Sequence, residues 1–207
     1  MKVHLKELGN NITNDKNKER SVQMTKKMLL FKDVQDKRMD FIKSFHEYWI
    51  NNDLFSWQWW FLLLTTILTW IVWVKTVDKK RTHLILNYGL FFGIFSFVFD
   101  MIGVNHGAWA YPIRLYWAFI PPLLPFDLTY LPVIFMVTYQ RYGQRWFSFI
   151  LALIVISAVI SLLIEPLFHW MGIYVMYKWK YIYSFPLYIL LASFVKFLVE
   201  LINKKLL

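Results

Sequence analysis

Long apolar stretches separated by short polar segments dominate the chain after residue 56. A helix of about 20 apolar residues is long enough to cross the hydrocarbon core of a bilayer. Stretches of this length recur along the rest of the chain, and several of them end in basic residues. The pattern predicts an all-α polytopic membrane helix bundle of about five transmembrane helices, at residues 57–77, 84–102, 115–139, 146–164 and 183–202.

The third stretch is not expected to form one straight helix, because it contains four of the seven prolines. A proline inside a helix removes a backbone hydrogen bond and clashes with the preceding turn. We expect a short arm, a break at Pro121–Pro125 and a helix that begins near Phe126. The backbone groups freed at the break need polar partners, so the break should face the interior of the bundle.

The first 56 residues differ in character from the rest. Residues 1–33 are rich in Lys, Asn and Asp with little apolar periodicity, which predicts a flexible tail. Residues 34–50 predict an amphipathic helix, either lying on the membrane surface or packed on the membrane domain. The chain therefore divides into a polar N-terminal extension, residues 1–56, and a transmembrane domain, residues 57–207. No internal repeat stands out.

The composition agrees with a protein whose solvent is lipid. Hydrophobic residues make up 58% of the chain and aromatic residues 20%, more than the core of a soluble domain of this size requires. The net charge is +10, but the basic residues after position 56 border the apolar stretches, where they meet lipid headgroups. Nucleic-acid binding is therefore not expected. The absence of cysteine excludes disulfides and thiolate metal sites.

The basic residues also predict an orientation. With five spans, the turns near residues 75–81 and 141–145 and the C-terminal end lie on one side and carry eight basic residues, against six on the other side. The positive-inside rule then places the N-terminus outside and the C-terminus in the cytoplasm. A different number of spans would reverse this orientation. No secretory signal peptide is expected, because the first apolar stretch leads into basic residues and not into a cleavage site.

All four acidic residues after position 78 lie within or at the ends of apolar stretches: Asp100, Asp127, Glu165 and Glu200. A charged group near the bilayer centre costs at least about 2.5 kcal/mol, so such a residue must pair, protonate or face a polar cavity. Glu200 has a local partner, because Lys196 precedes it by one helical turn. The other three have no local cation, and Arg114 is the candidate partner nearest in sequence to Asp100 and Asp127.

Asp100 and Asp127 are therefore the candidate catalytic residues, since a buried carboxyl can act as a general acid or hold a ligand. Glu165 and Arg114 are candidate ligand-binding residues of the same internal polar site. The alternative for Asp127 and Glu165 is a structural role as helix caps beside neighbouring prolines. Metal binding by His106 and His169 is not expected, because no ligand spacing supports it. No cofactor is expected.

Residues 84–140 carry a motif of a known family: Asp100-x6-Gly107-x-Trp109-x-Tyr111, followed by Pro125-x-Asp127. The motif resembles the repeated half of the small bacterial and archaeal lycopene cyclases, whose halves carry an acid, a G-x-W-x-Y turn and a P-x-E-(E/D) motif. The resemblance implies carboxyls that protonate a polyene and steer its ring closure without a redox cofactor. Asp127 stands at the first acidic position of the last motif, and Leu128 replaces the second acid.

The full chain, including residues 179–186, resembles a family of small multi-pass membrane proteins from spore-forming bacteria. This resemblance implies a bacterial plasma membrane but no particular reaction. We expect an integral membrane protein that binds an apolar, isoprenoid-like ligand at a site lined by Asp100, Trp109, Tyr111 and Asp127. Whether it acts as an enzyme, and its oligomeric state, are left open.

Two other functions fit the same pattern. A small proton-coupled transporter or channel subunit would use the carboxylates in a water-accessible path across the membrane. A non-catalytic interaction partner would act through the N-terminal extension. The expected partners are membrane lipid and an apolar ligand.

Overall fold

The structure is a computed structural model that describes the backbone of residues 2–119 and 123–206 and the side chains of residues 20–119 and 123–204. The chain forms two compact units, Met1–Glu47 and Tyr48–Leu207. Pro121 and Pro122, at the predicted break, lie outside the described residues.

A single helix, α1, runs from Lys2 to Tyr48 and accounts for the first unit. The sequence predicted a flexible tail up to residue 33, and the structure differs from this prediction. Residues 2–48 contain no proline and one glycine, and their many Lys, Glu, Gln, Met and Leu residues favour a helix. Lys37 and Asp33 also form an ion pair across one turn, at 2.7 Å.

The second unit is a helix bundle, which confirms the predicted all-α fold class. Its helices are α2 (Trp57–Thr76), α3 (Thr82–Asn105), α4 (Leu131–Tyr142), α5 (Trp146–Val159), α6 (Glu165–Trp170) and α7 (Tyr181–Leu206). Short π-helical segments occupy Trp49–Asp53, Phe126–Tyr130 and Ile160–Ile164. The two strands are β1 (Trp109–Ala110) and β2 (Val175–Met176).

Four helices of the described residues are long and apolar enough to cross a membrane: Trp57–Thr76, Thr82–Asn105, Trp146–Trp170 and Tyr181–Lys204. They correspond to four of the five predicted spans. The fifth prediction, residues 115–139, falls on an irregular arm followed by the π-helical segment Phe126–Tyr130 and α4. This helix begins where it was predicted to begin. It is more polar than the four candidate spans, and seven of the 12 residues of α4 are buried.

The apolar helix that begins at Trp146 is longer than the sequence predicted. Its end was expected at residue 164, before Pro166, but the helix continues to Trp170. The π-helical segment Ile160–Ile164 lies directly before this proline. A π-helical turn shifts the hydrogen-bond register of a helix, so the missing proline amide does not end it here.

The connections between helices differ at the two ends of the bundle. At one end the turns are short, at residues 77–81 and 143–145. At the other end the connections are longer, and they meet where β1 pairs with β2 in antiparallel register, Trp109 opposite Met176 and Ala110 opposite Val175. This end of the bundle is therefore covered by ordered chain.

The end with the short turns is held by a buried cation. Lys196 is fully buried in α7 and forms the predicted ion pair with Glu200. Its ammonium group lies 4.2 Å from the centre of the Trp146 ring. A desolvated cation over an aromatic face is stabilised by the negative face of the ring. The sequence-based prediction that this pair is structural is thus supported by its surroundings.

Gly103 of α3 provides a test of the packing. Its hydrogen lies against the indole of Trp109, and a Cβ at this position would overlap that ring. We expect Gly103→Ala to lower the stability of the detergent-solubilised protein by about 1–3 kcal/mol, the usual cost of overpacking a core. Gly93→Ala, whose Cβ would lie 3.3 Å from Pro132, should cost less. Thermal unfolding measures both, and an equal or smaller loss for Gly103→Ala would contradict the packing.

Candidate functional site

Asp100, on the last part of α3, is held by three hydrogen-bond donors. Its Oδ1 accepts hydrogen bonds from the Trp109 indole and the Tyr111 hydroxyl, each at 2.6 Å. Its Oδ2 accepts one from the Leu123 amide at 3.3 Å. Gly107 reverses the chain with a φ of 64°, which favours glycine. The G-x-W-x-Y turn therefore returns two side chains to the acid seven residues before it.

Tyr111 remains a hydrogen-bond donor at this place. It is buried, and burial together with the nearby Asp100 carboxyl raises the pKa of its hydroxyl well above the ordinary value of 10.0. Because this hydroxyl keeps its proton, Tyr111 can donate its hydrogen bond to the Asp100 carboxyl.

Asp127, in the π-helical segment before α4, completes a pair of carboxyls. Its Oδ1 accepts a hydrogen bond from Ser96 of α3 at 2.8 Å. Its Oδ2 is buried and receives no N–H or hydroxyl donor from the residues that the structure describes. The carboxyl of Asp100 is close enough to interact electrostatically with that of Asp127, and we call these two residues the carboxyl dyad. A carboxyl that stands beside another acid in an apolar cavity is favoured in its protonated form.

Glu165, the first residue of α6, is the acid of a second cluster. Its Oε1 accepts a hydrogen bond from Tyr188 at 2.7 Å, and its Oε2 accepts one from Ser184 at 3.0 Å. The Trp179 indole donates to Ser184 at 2.9 Å. Among the described residues, the side chains of Asp127 and Glu165 accept hydrogen bonds from Ser96, Ser184 and Tyr188 on other helices. These contacts favour the internal polar site over the capping alternative.

Both clusters line one cavity, whose empty volume is about 650 Å³ when the open space at its mouth is included. Five of the six predicted site residues line it: Asp100, Trp109, Tyr111, Asp127 and Glu165. The rest of the lining is mostly aromatic or aliphatic and includes Phe99, Phe126, Leu131, Phe168, Leu187 and Leu191. The site is thus an apolar cavity with acidic groups on two sides.

Arg114, the sixth predicted residue, lies elsewhere. It lines a different cavity, and its Nη1 donates to the Phe119 carbonyl at 3.0 Å. Its guanidinium lies 5.5 Å from the centre of the Tyr111 ring, so it supports the loop behind the site. Burial lowers the pKa of Arg114 below its ordinary value. The prediction that Arg114 lines the ligand site is not met, because Asp100 obtains its partners from Trp109 and Tyr111.

Sequence reasoning missed the two hydroxyl donors to Glu165 and the buried acid that contacts the loop at Arg114. Ser184 and Tyr188 lie one helical turn apart on α7, a spacing that places them on one face. Asp53 is fully buried, and its Oδ2 accepts a hydrogen bond from the Arg114 amide at 3.1 Å. Asp53 had no distinguishing signal, because it stands at the end of a highly charged region.

An internal repeat also went unnoticed in the sequence, where none was expected. Two segments share the pattern Ser-x3-acid-x6-Gly-x-aromatic: Ser96, Asp100, Gly107, Trp109 in one and Ser161, Glu165, Gly172, Tyr174 in the other. Gly172 has a φ of 73°, close to that of Gly107. The spacings Pro125-x-Asp127 and Pro186-x-Tyr188 follow them, and in each case the second residue reaches the acid of its own segment. This spacing is the signal that could have identified Tyr188.

The two carboxyls of the dyad should differ in their effect on stability. Asp100→Ala leaves buried donors of Trp109, Tyr111 and Leu123 unsatisfied, and we expect a loss of at least about 3 kcal/mol. Asp127→Ala removes the acceptor of one hydroxyl, that of Ser96, and should cost about 1 kcal/mol. Thermal unfolding in detergent, followed by tryptophan fluorescence, measures both variants. Equal losses would contradict the described bonding.

Asp53 should give the stability a pH dependence. Burial raises the pKa of this carboxyl from 3.8 to about 6, more than its bond to the Arg114 amide lowers it. The folded state favours the protonated form of Asp53, so proton binding by this carboxyl stabilises the fold. This contribution to the free energy of unfolding is fully present below about pH 4 and is lost as the pH rises through about 6. The unfolding temperature of Asp53→Asn should therefore fall less between these pH values than that of the wild type. Parallel curves would contradict the assignment.

Comparisons with protein-family models, curated proteins and solved structures found no match to this chain.

Proposed function

We propose that this integral membrane protein binds an apolar, isoprenoid-like ligand in the cavity between the two carboxyl clusters. The observation that carries the proposal is the composition of the lining, in which three buried carboxyls and two serines stand within a wall that is otherwise aromatic and aliphatic. Sites for small molecules are typically apolar cavities with a few convergent polar groups. The cavity lies inside a bundle of four candidate spans, where apolar molecules are the abundant ligands.

The dyad gives this site a chemical capacity as well as a shape. A carboxyl that keeps its proton in an apolar cavity can donate it to a carbon–carbon double bond as a general acid. The positive charge that forms on the ligand would then lie among aromatic faces, which attract cations. Phe126, Phe168 and Tyr174 are among the aromatic residues of the lining. An unsaturated chain is therefore the ligand that this site suits best.

The difference from the lycopene cyclase motif fits this proposal. Leu128 stands where that motif has its second acid, and its side chain is 41% exposed and does not line the cavity. The carboxyl beside Asp127 is instead that of Asp100. A pair of acids is thus available in this chain without an acid at position 128.

Mass spectrometry of the apolar molecules that co-purify with the protein tests the proposal. The protein is expressed in a host that makes linear isoprenoids, as wild type and as Asp127→Asn, which keeps the size of the side chain. We expect the wild type to retain an isoprenoid and the variant to retain at least about tenfold less of it. A tenfold change in affinity corresponds to about 1.4 kcal/mol of binding free energy.

Asp40→Asn is the matched control, because Asp40 lies exposed on α1 and is not part of the cavity lining. It should retain the isoprenoid as the wild type does. A ring-closed product bound to the wild type alone would add an activity to the binding. If all three proteins carry bulk phospholipid and nothing else, the proposed function is wrong.

A further inference from the structure

The cavity is closed toward the loop end of the bundle. The indole of Trp109 packs edge-on against that of Trp179, with ring centres 5.2 Å apart. Tyr111 stacks on Tyr174 at 5.6 Å. These four rings belong to the two connections joined by β1 and β2, so together they form an aromatic cover between the cavity and the loop end.

The cavity is open on the side of the helices instead. Among the described residues that line it, Phe99 of α3 is the one exposed side chain, at 44%. Leu187 of α7 also lines the cavity and is half-buried. Both residues lie on helices that are candidate spans. The open side therefore faces the surface that a membrane would cover with lipid chains.

The charges of the lining restrict what could enter. It contains the three carboxyls of Asp100, Asp127 and Glu165, and no lysine, arginine or histidine occurs among the described residues of the lining. A phosphate, sulfonate or carboxylate headgroup would meet acidic groups without a compensating cation, which is costly in a medium of low polarity. The lining thus rejects anionic lipids and accepts uncharged molecules.

The Oδ2 atom of Asp127 indicates which polar group a ligand could place beside the dyad. Asp127 is 3% exposed and lines the cavity, and its Oδ2 has no N–H or hydroxyl donor among the described residues. A hydroxyl or a polarisable double bond of an uncharged chain can approach this oxygen without a charge penalty.

We propose that the cavity is filled from the lipid phase by an uncharged long-chain molecule, which passes between α3 and α7 at Phe99 while the aromatic cover stays closed. This inference rests on the proposed function, which requires that the cavity holds an apolar ligand. It adds the route of access and the charge of the ligand.

Photolabelling of the full-length protein in phospholipid nanodiscs tests the inference. Two probes of equal chain length are compared, a diazirine-bearing long-chain alcohol and a diazirine-bearing alkyl sulfonate, and labelled residues are identified by peptide mass spectrometry. We expect the alcohol to label residues of the cavity lining and the sulfonate to label the lipid-facing surface alone.

Variants of the open side then test the route. Phe99→Trp, which narrows it, should lower cavity labelling by the alcohol at least about fivefold, and Phe99→Ala should raise it. Phe147→Trp is the matched control, because Phe147 is 77% exposed on α5 and does not line the cavity. It should label as the wild type does. Both tested side chains are exposed, so the variants are expected to fold.

The possible failures are distinguishable. Cavity labelling that is equal with both probes overturns the restriction to uncharged ligands. Cavity labelling that is unchanged in both Phe99 variants overturns the route between α3 and α7. If the alcohol labels the lipid-facing surface and never the cavity, in any variant, the proposed function fails together with the inference.

Discussion

The structure depends on how it satisfies carboxyl groups within an apolar helix bundle. An acid removed from water is costly unless it is hydrogen-bonded or protonated. Asp100 and Glu165 each receive donors from outside their own helix. To bring these donors back, the chain turns at two glycines with positive φ, and the returning segments pair as β1 and β2. The covered end of the bundle is thus a consequence of the acids that it surrounds.

α7 links this end to the opposite one. Its first turns supply Ser184 and Tyr188 to the Glu165 cluster, and its later turns carry the buried Lys196. The Glu200 carboxylate neutralises that cation and the face of the Trp146 ring stabilises it, so the helix is fixed at both ends by polar contacts in apolar surroundings. Between them, apolar packing joins α7 to α3 and α5. Such fixed positions are what a site needs to hold its carboxyls in place.

The spans and the acidic site could be predicted from the sequence, because a lipid environment demands long apolar helices and makes buried charges costly. Apolar stretches predicted all four candidate spans and a fifth at residues 115–139, where the structure has an irregular arm and the short α4. Acids inside such stretches are so costly that Asp100, Asp127 and Glu165 were expected at one site. The sequence does not fix the direction of a side chain on a loop. Arg114 was expected at the same internal polar site, whereas it lines a different cavity. The hydroxyls of Ser184 and Tyr188 look ordinary in a membrane helix. The repeated spacing Pro125-x-Asp127 and Pro186-x-Tyr188 singles out Tyr188, whereas Ser184 has no such signal.

Infrared difference spectroscopy would test the central claim most directly, that Asp100 and Asp127 share a proton within the cavity. With the protein in lipid at neutral pH, the spectrum of the wild type minus that of Asp127→Asn should contain the carbonyl stretch of a protonated carboxyl, and the spectrum of the wild type minus that of Asp40→Asn should not. An uncharged unsaturated ligand should shift the band. If the spectrum of the wild type minus that of Asp127→Asn contains no carbonyl stretch of a protonated carboxyl, the dyad is not the proton-holding group of this protein.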